Sequence, residues 1–414
     1  MTQNHKRPTT QRPIHTLAPH LFAFNRQNTK SRWFVVGFLT VFHFLLISIS
    51  TTFALMSYRN NVQQQFWPEF LQEPLQIWSL YDDPRVISDS DLQKVMKHLR
   101  PKLRSRNPNI NYVDHALRFW GIEAQFADPK CLSGKEMREL LTDNRLFRKM
   151  WHPGTPSFLT NTNYGVRIRV QAGPSTASHV DHTVASLAEV GTPSDYPLIT
   201  PSGETTFHAL LEDTLKKFSL NQLEYEWTAT VFALYAPTNR QWKTAEGQWI
   251  SFDILARRMM RQKMLEGVCF GNHRLYSLAL MLRADDLSPV FSEEARLEVI
   301  AFLKDATNRL IMNQSKDGFW DRNWEGSDWS TKWNEQAAIT RRVLATGHTL
   351  EWWAIAPQEV QPPREVVIHA GQWLTKAILK MDDAQVRRNY TFLTHAGRAL
   401  ALWRDIHPAE VKWQ

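Results

Sequence analysis

The chain has 414 residues, a formal net charge of +8 and a pI near 9.4. With no long Gly/Ser linker to divide it, one large domain with an appendage is expected. The charge does not point to nucleic acid: Lys6, Arg7, Arg12, Arg26, Lys30 and Arg32 stand in residues 1–32 without an acid, leaving only +2 for the rest of the chain.

After this basic tail comes Trp33 to Met56, WFVVGFLTVFHFLLISISTTFALM, 24 residues without a formal charge. As a helix it would extend roughly 36 Å, enough to cross a hydrocarbon core of about 30 Å with some tilt. Six basic residues precede it and only Arg59 falls among the next twenty, so the positive-inside rule puts residues 1–32 in the cytoplasm and the body outside. The basic region is too long for a signal peptide and no small-x-small cleavage site follows, so the expectation is a single-pass anchor in the lipid bilayer. His43, within the span, reads as a tolerated polar residue.

Residues 57–104 are amphipathic and charged, a juxtamembrane helical segment with a helix start at the capping run Ser88 to Asp91. From 105 to 414 the pattern is helical: TFHALLEDTLKKF, SFDILARRMMRQKML and SEEARLEVIAFLKDATNRLIM repeat apolar residues at steps of three and four. Strand-like alternation is confined to GVRIRV (165–170) and ITRRVLA (339–345). The two cysteines, Cys131 and Cys269, permit one disulfide in an oxidising compartment. No CxxC, HExxH or paired CxxH is present, so neither a metal set nor an obligatory cofactor is expected.

Within the helical region a seven-residue unit recurs: HALRFWG at 115, HTVASLA at 182, WTATVFA at 227, HRLYSLA at 273, HTLEWWA at 348 and HAGRALA at 395. Five units open on histidine and one on Trp227, and each closes on Ala or Gly. The steps of 67, 45, 46, 75 and 47 residues suit helix hairpins with their loops. Six hairpins, each with an apolar inner and an amphipathic outer helix, describe an all-α fold, an (α/α)6 toroid with parallel inner helices.

Two resemblances bear on this. QSKDGFW, Gln314 to Trp320, resembles the Q-x-x-x-G-x-W core of the repeat in the squalene-cyclase and prenyltransferase superfamily, whose members are α/α toroids. Ala306 and Leu310 fit that repeat, whereas Arg309 stands where it has an aromatic and Asp305 where it has a base; AGQWL, Ala370 to Leu374, is similar to an incomplete second copy. The resemblance implies the fold; for isoprenoid or terpenoid chemistry both the DxDD motif and the Asp, Cys and His zinc set are missing. GHTLEW is separately similar to the G-H-x-x-E-W element of N-acylglucosamine 2-epimerase toroids, which implies a sugar site.

The residues before the five histidines, Asp114, Asp181, Asn272, Gly347 and Thr394, are N-cap types, so each histidine is expected in a first helical turn on one rim. A histidine there can equally well only pack. His182, His273 and His348 have the richest polar surroundings and, with Glu351, are the candidates for acid-base catalysis. Arg274, Tyr276 and Asp181 are candidates for binding substrate, and Trp320 and Trp324, in a segment that also contains Trp329 and Trp333, for stacking on sugar rings. The expected function is therefore an enzyme acting on a carbohydrate or anionic glycan, without nucleic acid as partner. A non-catalytic envelope binding or scaffold domain is the alternative, and isoprenoid processing a second one.

Overall fold

The computed structural model describes residues 29–236, 241–326 and 335–411, and the chain divides into two compact units at Gln65 and Phe66. In the first unit α1 runs over Thr29–Phe66, and its stretch Trp33–Ser57, with a mean hydropathy of 2.1, is long and apolar enough to cross a membrane. Four of its polar side chains bond back within the helix, among them His43, whose Nδ1 donates to Leu39 O at 2.7 Å, and Thr40, whose Oγ1 donates to Val36 O at 2.8 Å.

The second unit is mostly helical: α2 Asp89–His98, α3 Ile110–Trp120, α4 Gly134–Thr142, α5 Asn144–Met150, α6 His182–Glu189, α7 His208–Lys217 and α8 Glu226–Tyr235. Then follow α9 Phe252–Arg261, α10 Asn272–Leu287, α11 Glu293–Asn313, α12 Glu335–Ile355, α13 Arg364–Leu379, α14 Asp383–Arg388 and α15 Tyr390–Leu402. Three antiparallel hairpins interrupt them, pairing Leu159–Asn161 with Val166–Ile168, Pro197–Thr200 with Gly203–Thr206, and Gln241–Lys243 with Trp249–Ser251. The strand-like GVRIRV thus contributes a strand, but ITRRVLA lies inside α12, because burial of its apolar side favours continuation of the helix over a local β preference.

The six helices that carry the repeated unit touch in a closed cycle: α3 to α6, α6 to α8, α8 to α10, α10 to α12, α12 to α15, and α15 back to α3. Paired contacts ascend in the same order at each step. His115 meets His182 and, further along, Arg118 meets Glu189; Trp227 meets His273 and Thr230 meets Ser277; His348 meets His395 and Glu351 meets Arg398. His182 likewise meets Trp227 while Thr192 accepts from Tyr235, and His273 meets His348 while Arg283 donates to Ile355 O. These helices therefore share one direction.

Burial more than capping holds the cycle, in which Asn109 caps α3. Outer-facing helices begin with serine caps, Ser88 on α2, Ser133 on α4, Ser251 on α9 and Ser292 on α11, whereas α6, α8, α10 and α15 have no side-chain cap. The repeat's final small residues, Ala188, Ala233, Ala279, Ala354 and Ala401, are wholly buried. Gly347 belongs to this packing: a Cβ there would lie 2.9 Å from Ala396 Cα, so its missing side chain lets α12 and α15 approach.

Residues 67–87 are not a separate juxtamembrane segment, as expected from their charge, but a strap of the second unit. Leu71 N–H donates to Tyr235 O at 2.8 Å, Leu75 N–H to Leu234 O at 2.9 Å and Asp83 N–H to Trp403 O at 2.8 Å. Tyr81 OH donates to Ala356 O at 2.7 Å. These carbonyls are the unpaired ends of α8, α12 and α15, so the strap satisfies them while covering the C-terminal end of the cycle. Trp78 on the strap stacks on His407 and lies 5.9 Å below the Arg398 guanidinium.

Candidate functional site

The first residues of the six repeats form one ring around the axis of the cycle. Successive ring centroids are 4.1 Å apart from His115 to His182, 4.5 Å to Trp227, 4.7 Å to His273, 5.0 Å to His348, 4.0 Å to His395 and 5.4 Å back to His115. All six side chains are buried.

A second layer lies one turn further along. Arg118, Tyr276, Glu351 and Arg398 stand three residues after His115, His273, His348 and His395, which in a helix places them on the same face. Arg118 donates to Glu351 Oε1 at 2.6 Å and, through Nη2, to Glu189 Oε1 at 3.2 Å. Arg398 repeats this from the other side, to Glu351 Oε1 at 2.9 Å and Glu189 Oε1 at 3.2 Å, and the Tyr276 hydroxyl also donates to Glu189. Burial pushes the Glu189 and Glu351 carboxyls up, but the two guanidinium groups outweigh it and hold both below the usual range. Burial holds the Tyr276 phenol protonated.

The hydrogen bonds behind the rings fix their tautomers. The ionised Asp114 carboxylate only accepts, so His115 Nδ1–H donates to its Oδ1 at 2.7 Å and His182 Nδ1–H to its Oδ2 at 3.1 Å, with Thr183 Oγ1 adding a third bond at 2.7 Å. His395 Nδ1–H donates to Glu351 Oε2 at 2.7 Å, and His348 Nδ1–H to Leu344 O at 2.8 Å. Burial keeps four imidazoles of the ring neutral: His182 and His348 fall to about 4, and His273 and His395 are held well below the ordinary value.

His273 and His348 face each other, with 3.0 Å between their Nε2 atoms. Since neutral His348 carries its proton on Nδ1, its Nε2 accepts and His273 Nε2–H donates. That leaves His273 Nδ1 as a buried lone pair with no partner, and His182 Nε2 is likewise buried and unpartnered.

Beside these rings runs a strained loop. Cys269 and Phe270 both adopt left-handed backbone, φ 50° and φ 60°, ahead of Gly271 at φ 79°. Asn272 Nδ2 holds Cys269 O at 3.0 Å and Trp324 Nε1 holds Phe270 O at 2.9 Å. Cys269 is a free thiol that burial keeps protonated; Cys131 is free as well. On the same side His179 Nδ1 pairs with Glu224 Oε2 at 2.9 Å, its ring 6.2 Å from His182 and 6.4 Å from His273. With side chains 24% and 36% exposed, these two connect the buried rings to solvent at the end opposite the strap.

Of the residues singled out in the sequence, His182, His273, His348, Glu351 and Tyr276 come together on the axis. The other expectations need correction. The histidines do not share a first turn: only His182 and His273 begin helices, while His115, His348 and His395 lie inside α3, α12 and α15. Of the supposed caps only Asp181 holds that place, and its side chain makes no cap bond; Asp114 turns to the rings instead. Arg274 does not join Glu351 but pairs with Glu226 Oε1 at 2.7 Å and donates to Lys263 O at 2.7 Å. Asp181 accepts from Thr228 at 2.5 Å and lines a separate cavity with Arg167 and Lys217.

Trp320 and Trp324 are buried, with indole N–H groups bound to Leu310 O and Phe270 O, so they pack between elements and offer sugars no open face. Trp329 and Trp333 lie outside the described residues. Gln314 ties the Q-x-x-x-G-x-W stretch to Gly318 O and Val366 O, both at 2.9 Å.

Sequence reasoning undervalued His115, His395 and Arg398 and missed Asp114, Arg118 and Cys269 as members of one centre. The available signal was the fourth position of the repeat, which reads Arg, Tyr, Glu and Arg in four of six units. Three groups offer ligand atoms within 4.8 Å of one another: His115, His182 and His395; Cys269, His273 and His348; and His348, Glu351 and His395. In the third, Glu351 is already committed to two arginines.

No protein family, curated protein or solved structure matches the chain.

Proposed function

We propose that the cycle is the inner ring of an (α/α)6 toroid, anchored by α1 in a bilayer with the body on the extracytoplasmic side, and that it is an enzyme working by proton transfer at His273 and His348. The observation that carries this is the 3.0 Å contact between two neutral imidazoles, one of which keeps a free lone pair, with His179 and Glu224 leading to solvent. A neutral, buried imidazole with an open nitrogen is a general base; Glu351 and the arginines behind it set the local field. The enclosed setting suits a small polyhydroxylated or anionic substrate, a sugar or the end of a glycan chain, better than an internal stretch of polymer.

A screen of neutral, carboxylated and phosphorylated sugars by NMR with the full-length protein in detergent tests this reading. Solvent exchange or product formation that disappears in His273→Ala supports it. Turnover that persists in that variant overturns it.

One observation favours a second reading, a non-catalytic binding or scaffold domain: Arg118, Arg398, Glu189 and Glu351 saturate one another. In that case the screen yields neither exchange nor product. The polar axis gives an isoprenoid no apolar bed.

A further inference from the structure

The buried charges of the axis do not balance. Asp114, Glu189 and Glu351 face Arg118 and Arg398, and both arginines are taken by the two glutamates. Asp114, wholly buried, is bonded only to His115, His182 and Thr183 among the described residues. A buried carboxylate without a cationic partner is unfavourable unless positive charge reaches it through its hydrogen bonds.

The imidazoles provide the route. A carboxylate that binds Nδ1–H leaves Nε2 as a lone pair and raises its basicity, the arrangement that orients metal-bound histidines. Asp114 does this for His115 and His182 at once, and Glu351 does it for His395 at 2.7 Å. Arg118 Nη1 also lies 3.2 Å from His395 Nδ1, but a nitrogen that is donating to Glu351 cannot accept, and the shorter 2.6 Å bond of Arg118 goes to Glu351 Oε1. The three side chains place ligand nitrogens within 4.8 Å of one another, and His182 Nε2 is buried with nothing bound to it.

We propose that His115, His182 and His395 hold one divalent transition-metal ion of the zinc type through their Nε2 atoms, with Asp114 and Glu351 positioning the rings from behind. Three imidazole ligands select a borderline cation over Mg²⁺ or Ca²⁺, which prefer oxygen, and leave a fourth position open. Metal–nitrogen bonds of about 2.0–2.1 Å require nitrogens roughly 3.3 Å apart, so the three rings would draw together on binding. The ion would place positive charge opposite Asp114 across two imidazoles. The proposal rests on the axial cluster and not on the sugar chemistry, since metal content is read without a substrate.

The full-length protein in detergent, purified without chelator, is analysed for bound metal by mass spectrometry, and after chelator stripping is titrated with Zn²⁺ and Co²⁺. One equivalent is expected, with a rise in melting temperature on adding Zn²⁺. His115→Ala and His182→Ala should lose it, and Asp114→Asn should weaken it by about 10–100-fold. Because a ring variant can misfold, the Co²⁺ spectrum of the unmutated protein is the second readout. A d–d band without thiolate charge transfer supports the three-histidine site. Thiolate charge transfer that vanishes in Cys269→Ser places the ion at Cys269, His273 and His348, and overturns the proposal. So does a protein that binds less than a tenth of an equivalent, or a stoichiometry unchanged in folded His182→Ala.

Discussion

His273 Nε2 lies 3.0 Å from His348 Nε2, and because His348 spends its own proton on Leu344 O, that contact has only one polarity, donor on α10 and acceptor on α12. His348→Ala therefore removes the acceptor and leaves a buried N–H on His273 unpaired. A buried polar group without a partner costs about 1–3 kcal/mol, so the variant should lose stability in denaturant titration as well as turnover. This differs from a rim histidine, which would tolerate removal. A melting curve unchanged from the parent would show that His348 is not enclosed as described.

Glu351 is the hub of the second layer, accepting from Arg118, Arg398 and His395. Replacing it by Gln keeps the shape but removes the charge that two buried guanidinium groups face, a change that costs about 3–5 kcal/mol when a buried ion pair is broken on one side. In the double variant Glu351→Gln, Arg398→Gln part of that loss should return. A double-mutant cycle without coupling between the two positions would contradict the layer.

Gly347→Ala tests the approach of α12 to α15. The added Cβ would meet Ala396 Cα and Cβ at 2.9 Å, both fixed by the α15 backbone, so overpacking should cost about 1–3 kcal/mol. Gly154→Ala is the matched control, since nothing lies within 4 Å of a Cβ at that position. Equal melting temperatures for the two variants would show that α12 and α15 do not meet at Gly347.

Membrane topology is tested in a background with Cys131→Ser and Cys269→Ser. His20→Cys should resist an impermeant thiol reagent on intact cells, and Glu246→Cys, at an exposed position, should react. The reverse labelling would invert the proposed orientation.

The anchor-length helix and the six ring positions were legible in the sequence. The first is a matter of composition over 24 residues; the second follows because a repeated packing unit presents the same position to a shared axis each time, so His115, His182, Trp227, His273, His348 and His395 announce one another. What a histidine does there was not legible. Local cap preferences suggested five starts on a rim, yet α12 begins at Glu335 and α15 at Tyr390, because burial carries those helices on past their cap-like residues. Gly347 looked like a boundary and is a contact. Only the tertiary structure decided that Arg118 meets Glu189, 71 residues away, that Arg274 turns aside to Glu226, and that Trp320 and Trp324 are enclosed. Such pairings depend on the distance and rotation between helices, which are set by the packing of whole faces, and no short stretch of chain encodes them.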